Sequence, residues 1–150
     1  MRVKRNLRGI YALLTLAVAG IAAPANIYAQ NGGVVAHDAW VRVPPKSKTE
    51  TALYFVIENH TSQARAIVSA SSEAAATLEM HQMKMEKMMM VMMPVAQISI
   101  PANGKASLDP NGFHIMMFGL KSRPALGDKL EITLKLDDGT SVPVEATVRK

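Results

Sequence analysis

Turn signals interrupt this 150-residue chain at short intervals from about residue 34 onward. Pro44-Pro45-Lys46-Ser47-Lys48, Asn59-His60-Thr61-Ser62, Pro101-Ala102-Asn103-Gly104, Asp109-Pro110-Asn111-Gly112 and Asp137-Asp138-Gly139-Thr140 are all built from turn-forming residues. The segments between them have the period of two that marks strands. Val34 to Val43 puts Val35, His37, Ala39, Val41 and Val43 on one face, and Leu53-Tyr54-Phe55-Val56-Ile57 has the aromatic and β-branched content of a buried strand. Arg65 to Val68, Gln97 to Ile100, Lys105 to Leu108 and Phe113 to Phe118 read as shorter strands, and Lys129 to Leu136 with Ser141 to Val148 as a hairpin. Only Ser71 to Ala76 offers a helical turn, with a serine cap. About nine short strands with hardly any helix predict an all-β sandwich or barrel.

Residues 1–29 have a different character. Arg2, Lys4, Arg5 and Arg8 precede an uncharged, almost wholly apolar run from Gly9 to Ala23, and Pro24 and small residues follow up to Ala29. This is the layout of a secretory signal peptide, with cleavage expected after Ala29 and Ala25 as the second choice. The apolar run falls short of the roughly 20 residues a membrane-spanning helix needs. The expected organisation is a leader at 1–29, a single domain at 30–150, and a periplasmic location with no membrane span after cleavage.

Export changes how the charge is read. The chain carries 17 Lys and Arg against 12 Asp and Glu, and four of the basic residues lie before Ala29. The remaining domain is nearly neutral, so the high isoelectric point is no argument for nucleic-acid binding. Cysteine is absent. That excludes thiol chemistry, a Cys nucleophile and a blue-copper centre, which needs a thiolate ligand. Stability has to come from the hydrophobic core.

The methionines are concentrated in one region. Of eleven, ten lie between Met80 and Met117, together with two of the four histidines. His114 and Met116, two apart on a strand, point to one face, while Met117 points into the core. If residues 78–95 fold as a symmetric hairpin about Glu86-Lys87, His81 and Met92 face each other, although Glu86-Lys87 is not a favoured two-residue turn and implies a longer, looser loop. Two imidazoles and two thioethers make a soft site suited to Cu(I), and unsuited to calcium or magnesium; zinc sites are built from Cys, His and carboxylates. Methionine is also a flexible core filler, and on spacing alone the core and metal readings both stand.

The spacing His81-x10-Met92-x21-His114-x-Met116 resembles the copper-binding pattern of the periplasmic PCu(A)C copper chaperones, small exported cupredoxin-like domains. Trp40-Val41-Arg42, Tyr54 to Asn59, Met92-Met93-Pro94-Val95, Ile100-Pro101-Ala102 and His114 to Lys121 extend the resemblance over the whole domain. It implies a Greek-key β-sandwich that binds one Cu(I) through His81, Met92, His114 and Met116. It also implies delivery of copper by ligand exchange toward the Cu-A centre of cytochrome c oxidase, often beside a Sco-type thiol protein. On this reading nothing is turned over and the protein is not an enzyme; a copper-sequestering resistance protein is the alternative, and a metal-free interaction module a third class. Two departures stand out. Met83 to Met90 replaces a more polar, glycine-containing stretch, which leaves room for a second, weaker site. The chain also ends at Lys150 without the His/Met-rich tail of some members.

Other candidates are weaker. His37 neighbours Asp38, but adjacent strand residues face opposite ways, so His37 is expected to be structural or exposed, His60 solvated and Trp40 in the core. Ser71-Ser72 has no His/Asp partner arrangement and there is no Gly-rich phosphate loop.

Overall fold

The computed structural model describes residues 33–150; the leader read at residues 1–29 and its cleavage point lie outside the described residues. Those residues form ten strands and no helix: β1 (Val34–Arg42), β2 (Glu50–Asn59), β3 (Arg65–Ser71), β4 (Ala75–Glu86), β5 (Met89–Pro94), β6 (Ile98–Ile100), β7 (Gly104–Leu108), β8 (Phe113–Leu120), β9 (Lys129–Leu136) and β10 (Ser141–Arg149). They join in the order β5-β4-β8-β7-β2-β1-β10-β9-β3-β6, with a further pairing of β8 to β2. β1 is antiparallel to β2 and parallel to β10 at Trp40 to Arg42, so it links the two halves of the sheet. The halves close over one core, in which Leu53, Phe55, Ile57, Ile115 and Met117 meet Ile67, Ile98, Ile132, Leu134 and Val144. Each fully buried aliphatic side chain contributes about 1.5–3 kcal/mol, the source of stability that the missing disulfides leave to packing. Met117, fully buried, is core as its strand parity predicts.

The expected helical turn at Ser71 to Ala76 is absent. Ser71 ends β3 and Ala75 begins β4. Ser72 Oγ donates to the Glu131 carbonyl at 2.7 Å and accepts the Ala74 amide at 3.2 Å, so the serine organises a turn against β9 and caps no helix.

The expected face of β1 is corrected by a bulge. His37 pairs with Val56 but Trp40 pairs with Tyr54, so β1 carries one extra residue between them, and Asp38 adopts a φ of 53°. The extra residue inverts parity along the strand. Val34 is buried before the bulge, and Ala39 and Val41 after it. Trp40 is consequently half-buried on the opposite face from the core. The same bulge brings His37 and Asp38 together, Nδ1 to Oδ2 at 2.9 Å, where plain alternation would part them. His37 remains exposed, as expected.

β4 and β5 form a hairpin whose register also differs from the symmetric one. His81 lies opposite Pro94, and Met92 opposite Met83. The turn is Lys87-Met88, both with positive φ (46° and 67°), which is the tight two-residue type I′ geometry and no loose loop. Moving the turn by one residue moves every partner by two, so Met92 keeps its face but changes its neighbour. The Val95 amide donates to the Met80 carbonyl at 2.9 Å. By alternation, 81 with 94, 83 with 92 and 85 with 90 are then non-hydrogen-bonded pairs. Pro94, which has no N–H to give, sits where none is needed. β4 pairs with β8 only as far as Gln82 with Phe113, whereas it pairs with β5 out to Glu86 with Met89. The outer end of the hairpin is thus a two-stranded arm extending beyond the sheet.

Candidate metal centre

β4 and β8 lie side by side with His81 directly opposite His114. Residues 78, 80, 115 and 117 of these strands turn to the core, so His81, Met83, His114 and Met116 share the other face. Met92, opposite Met83, joins them from β5. On this face a cleft of about 380 Å³ is lined by Met83, Met92, His114 and Met116 from the β4-β5-β8 side and by Arg42, Ala52 and Tyr54 from β1 and β2.

His114 is the centre of the arrangement and is 4% exposed. Its Nδ1 lies 3.3 Å from the Gly112 carbonyl, and in the tautomer that donates to this carbonyl Nε2 carries the lone pair. Nε2 lies 3.2 Å from the Met92 sulfur. Neither atom then has a proton to share, and the two lone pairs converge. With metal–donor bonds of roughly 2.0 to 2.3 Å, one ion can touch both. Burial holds the His114 imidazole below its ordinary pKa, opposed by the Gly112 hydrogen bond and by Asp109 and reinforced by Coulomb repulsion from the neighbouring His81 and Arg42 side chains. The neutral form needed for ligation is therefore favoured.

His81 is also buried, at 7% exposure. Its Nε2 meets Glu79 Oε2 at 3.1 Å, and its Nδ1 is buried without any hydrogen-bond partner. A buried polar atom left unpaired costs about 1–3 kcal/mol, and an ion ligated there would relieve that cost. Its ring centroid is 5.9 Å from that of His114. His81 lies beside His114 on the neighbouring strand and does not line the open cleft, whereas Met83, two residues on, does. The structure therefore brings Met92, His114 and Met116 together around the cleft, with His81 alongside.

Aromatic packing fixes the His114 ring from its other side. Trp40 stacks on Tyr54 (centroids 4.5 Å), and Tyr54 approaches His114 (6.2 Å), while Arg42 lies 5.7 Å above the Tyr54 ring. Trp40 thus has a supporting place beside the site, where sequence reasoning expected core. From sequence, Met83 belongs only to the methionine-rich stretch and Tyr54 only to a strand, neither of them at the metal site, and Glu79 has no assigned role. Met83 and Glu79, each two positions from His81, were within reach of the argument that paired His114 with Met116.

Among the described residues no group of three or more His, Cys, Asp or Glu is arranged to hold a metal. A second depression, about 390 Å³ at the far end of β2, is lined by Glu58, Asn59, His60, Asn103, Gly104 and Lys105. His60 Nε2 lies 3.2 Å from a Glu58 carboxylate oxygen there.

Residues 34–148 match the family described as "Putative lipoprotein LpqE-like". A curated relative, "Putative lipoprotein Lxx21020" of Leifsonia xyli subsp. xyli, is 32% identical over 121 residues, which is 80% of this chain and 72% of the relative. Among solved structures, the CuI-DR1885 solution structure from Deinococcus radiodurans is 34% identical, with 75% of each chain covered and a TM-score of 0.58. The copper-bound PCuAC domain from PmoF2 is 18% identical, covers 77% of this chain and 92% of that one, and has a TM-score of 0.66; that likeness bears on the fold. With the ten-stranded cupredoxin-like sheet matched to those domains and the family match running from the first strand to the last, this chain belongs to the LpqE-like family, a family of the PCuAC type.

Proposed function

We propose that this protein is an exported Cu(I) carrier that holds one ion between His81, Met92, His114 and Met116 and hands it on by ligand exchange. The observation that carries this reading is the 3.2 Å approach of His114 Nε2 to the Met92 sulfur, with the other ring nitrogen committed to Gly112. Two neutral lone pairs held that close, beside a buried His81 Nδ1 with no partner, fit a soft cation. Thioethers with imidazoles favour Cu(I) over harder ions. The likeness to a Cu(I)-bearing domain at 34% identity supports the same choice.

The mechanism is displacement. All four donors are neutral, so the bound ion keeps its single positive charge. The cleft rim leaves Met92 at the surface, 45% exposed, and Met116 half-buried. An incoming thiolate of an acceptor displaces these thioethers first, gains the attraction of opposite charge, and then draws the ion from the histidines. No bond of a substrate is made or broken, and the chain acts as a chaperone and not as an enzyme. Periplasmic residence after cleavage of residues 1–29, and delivery toward the Cu-A centre of cytochrome c oxidase beside a Sco-type thiol protein, belong to the same proposal.

Anaerobic Cu(I) titration of residues 30–150 with metal counting, followed by mixing with a dithiol acceptor, tests it. Tight uptake that is lost in a His81→Ala/His114→Ala variant, and transfer to the acceptor, are expected. Absence of Cu(I) uptake would overturn the reading.

A further inference from the structure

The arm formed by β4 and β5 is made of methionine that has no core to fill. Met85 is 62% exposed, Met88 94%, Met89 67% and Met90 45%. Their abundance cannot be explained by packing, because the arm extends past the last β4–β8 pair. Their placement is ordered. Met83 faces Met92 and Met85 faces Met90. Both are non-hydrogen-bonded pairs, the class in which facing Cα atoms are only about 4.5 Å apart and side chains are nearest. Both pairs lie on the face that carries His114 and Met116, because positions two apart on a strand share a face. The two pairs are separated by two residues, about 6.6 Å along the strand. The Met92 sulfur already touches His114. A row of paired thioethers therefore runs from the exposed end of the arm to the cleft.

We propose that Met85 and Met90 form a second, weaker Cu(I) site on the arm, from which the ion passes through Met83 and Met92 to the histidine site. This rests on the reading of the cleft as a Cu(I) site. The donors are neutral thioethers, which select Cu(I) and bind it without releasing a proton. Without imidazole the arm site is weaker than the cleft site, so an ion captured there moves inward. Each step exchanges one thioether for another donor on the same ion, which stays Cu(I) throughout. No electron or proton moves, and one positive charge is carried inward.

The test is anaerobic competition of the protein (residues 30–150) against a chromogenic Cu(I) chelator, in three forms. The wild type is expected to take two Cu(I), the second bound at least tenfold more weakly. A Met85→Leu/Met90→Leu variant keeps side-chain volume and apolar character but removes both sulfurs. It is expected to take one Cu(I), with the tight affinity unchanged within about twofold and loading of the tight site by stopped flow slowed severalfold. A His81→Ala/His114→Ala variant is expected to keep only the weak ion, with a sulfur-only shell by X-ray absorption. If wild type and the double-leucine variant bind one ion each and load at the same rate, the arm is no copper site while the cleft reading stands. If no form binds Cu(I), both readings fall.

Discussion

His114 Nε2 and the Met92 sulfur lie 3.2 Å apart, although the two residues are 22 positions apart in the chain. The contact is made by strand order: β4 lies between β5 and β8, so Met92 reaches His114 across the β4 strand at Met83. If this contact is half of a metal site, X-ray absorption of the Cu(I) form will show two sulfur and two nitrogen donors. Met92→Leu is expected to remove one sulfur and lower Cu(I) affinity by at least tenfold. A nitrogen and oxygen shell without sulfur in the wild type would refute the assignment.

Met116 and Met117 are adjacent and opposite in role. Met116 is half-buried at the cleft and Met117 is fully buried in the core. Met116→Ala should weaken Cu(I) binding with little change in apo stability. Met117→Ala should cost about 2–5 kcal/mol of stability with affinity nearly kept. Chemical denaturation of both apo variants beside their Cu(I) titrations separates the two effects. His114→Ala is expected to lose both affinity and stability, because its ring is buried between Tyr54 and His81.

Acid should weaken the apo protein through His114. Burial lowers its pKa below the ordinary 6.5, so the unfolded chain binds a proton more readily than the folded one. That contribution leaves stability highest above about pH 6.5 and reduces it as pH falls from there toward the folded pKa. His37 works in the opposite sense. Its hydrogen bonds to Asp38 and Glu58 raise its pKa, so its contribution is fully present below 6.5 and lost as pH rises through the raised value. Denaturation midpoints at several pH values in a His37→Gln background isolate the His114 slope. A flat profile between pH 7.5 and 5 would contradict it.

Copper affinity should fall over the same acid range. An imidazole must be neutral to ligate, so each titrating histidine ligand costs up to about one decade of affinity per pH unit below its pKa. The lowered pKa of His114 delays its share of the loss to more acid pH than an exposed histidine would show. Competition titrations at pH 7, 6 and 5 check this, and equal affinity at all three would exclude histidine ligands.

The arm turn is strained. Lys87 and Met88 both hold positive φ, a conformation costing about 1–2 kcal/mol for each side-chain-bearing residue. Lys87→Asn/Met88→Gly supplies the pair that a type I′ turn prefers. The gain should be local, seen as slower hydrogen exchange at the Met89 and Val91 amides, which lie in hydrogen-bonded pairs, with little shift in global unfolding. Faster exchange there would mean that the turn is not type I′.

Features that depend on short-range geometry are legible in the order of the amino acids. Closely spaced turn residues imposed short strands, and the period of two put His114 and Met116 on one face and Met117 on the other. It kept Met92 on the His81 face as well, because a register change of two residues preserves parity. What parity leaves open is settled only when the strands assemble. Met92 faces Met83 because two residues with side chains, Lys87 and Met88, accept a left-handed turn that no sequence rule favours there. The bulge at Asp38 inverted β1 and moved Trp40 from the expected core to the site face, where it braces Tyr54. The burial of His81 beside His114 follows from β4 pairing with β8, a contact between segments more than thirty residues apart. Such pairings are selected by how whole strands fill a common core, and that is a property of the assembled sheet and not of any one segment.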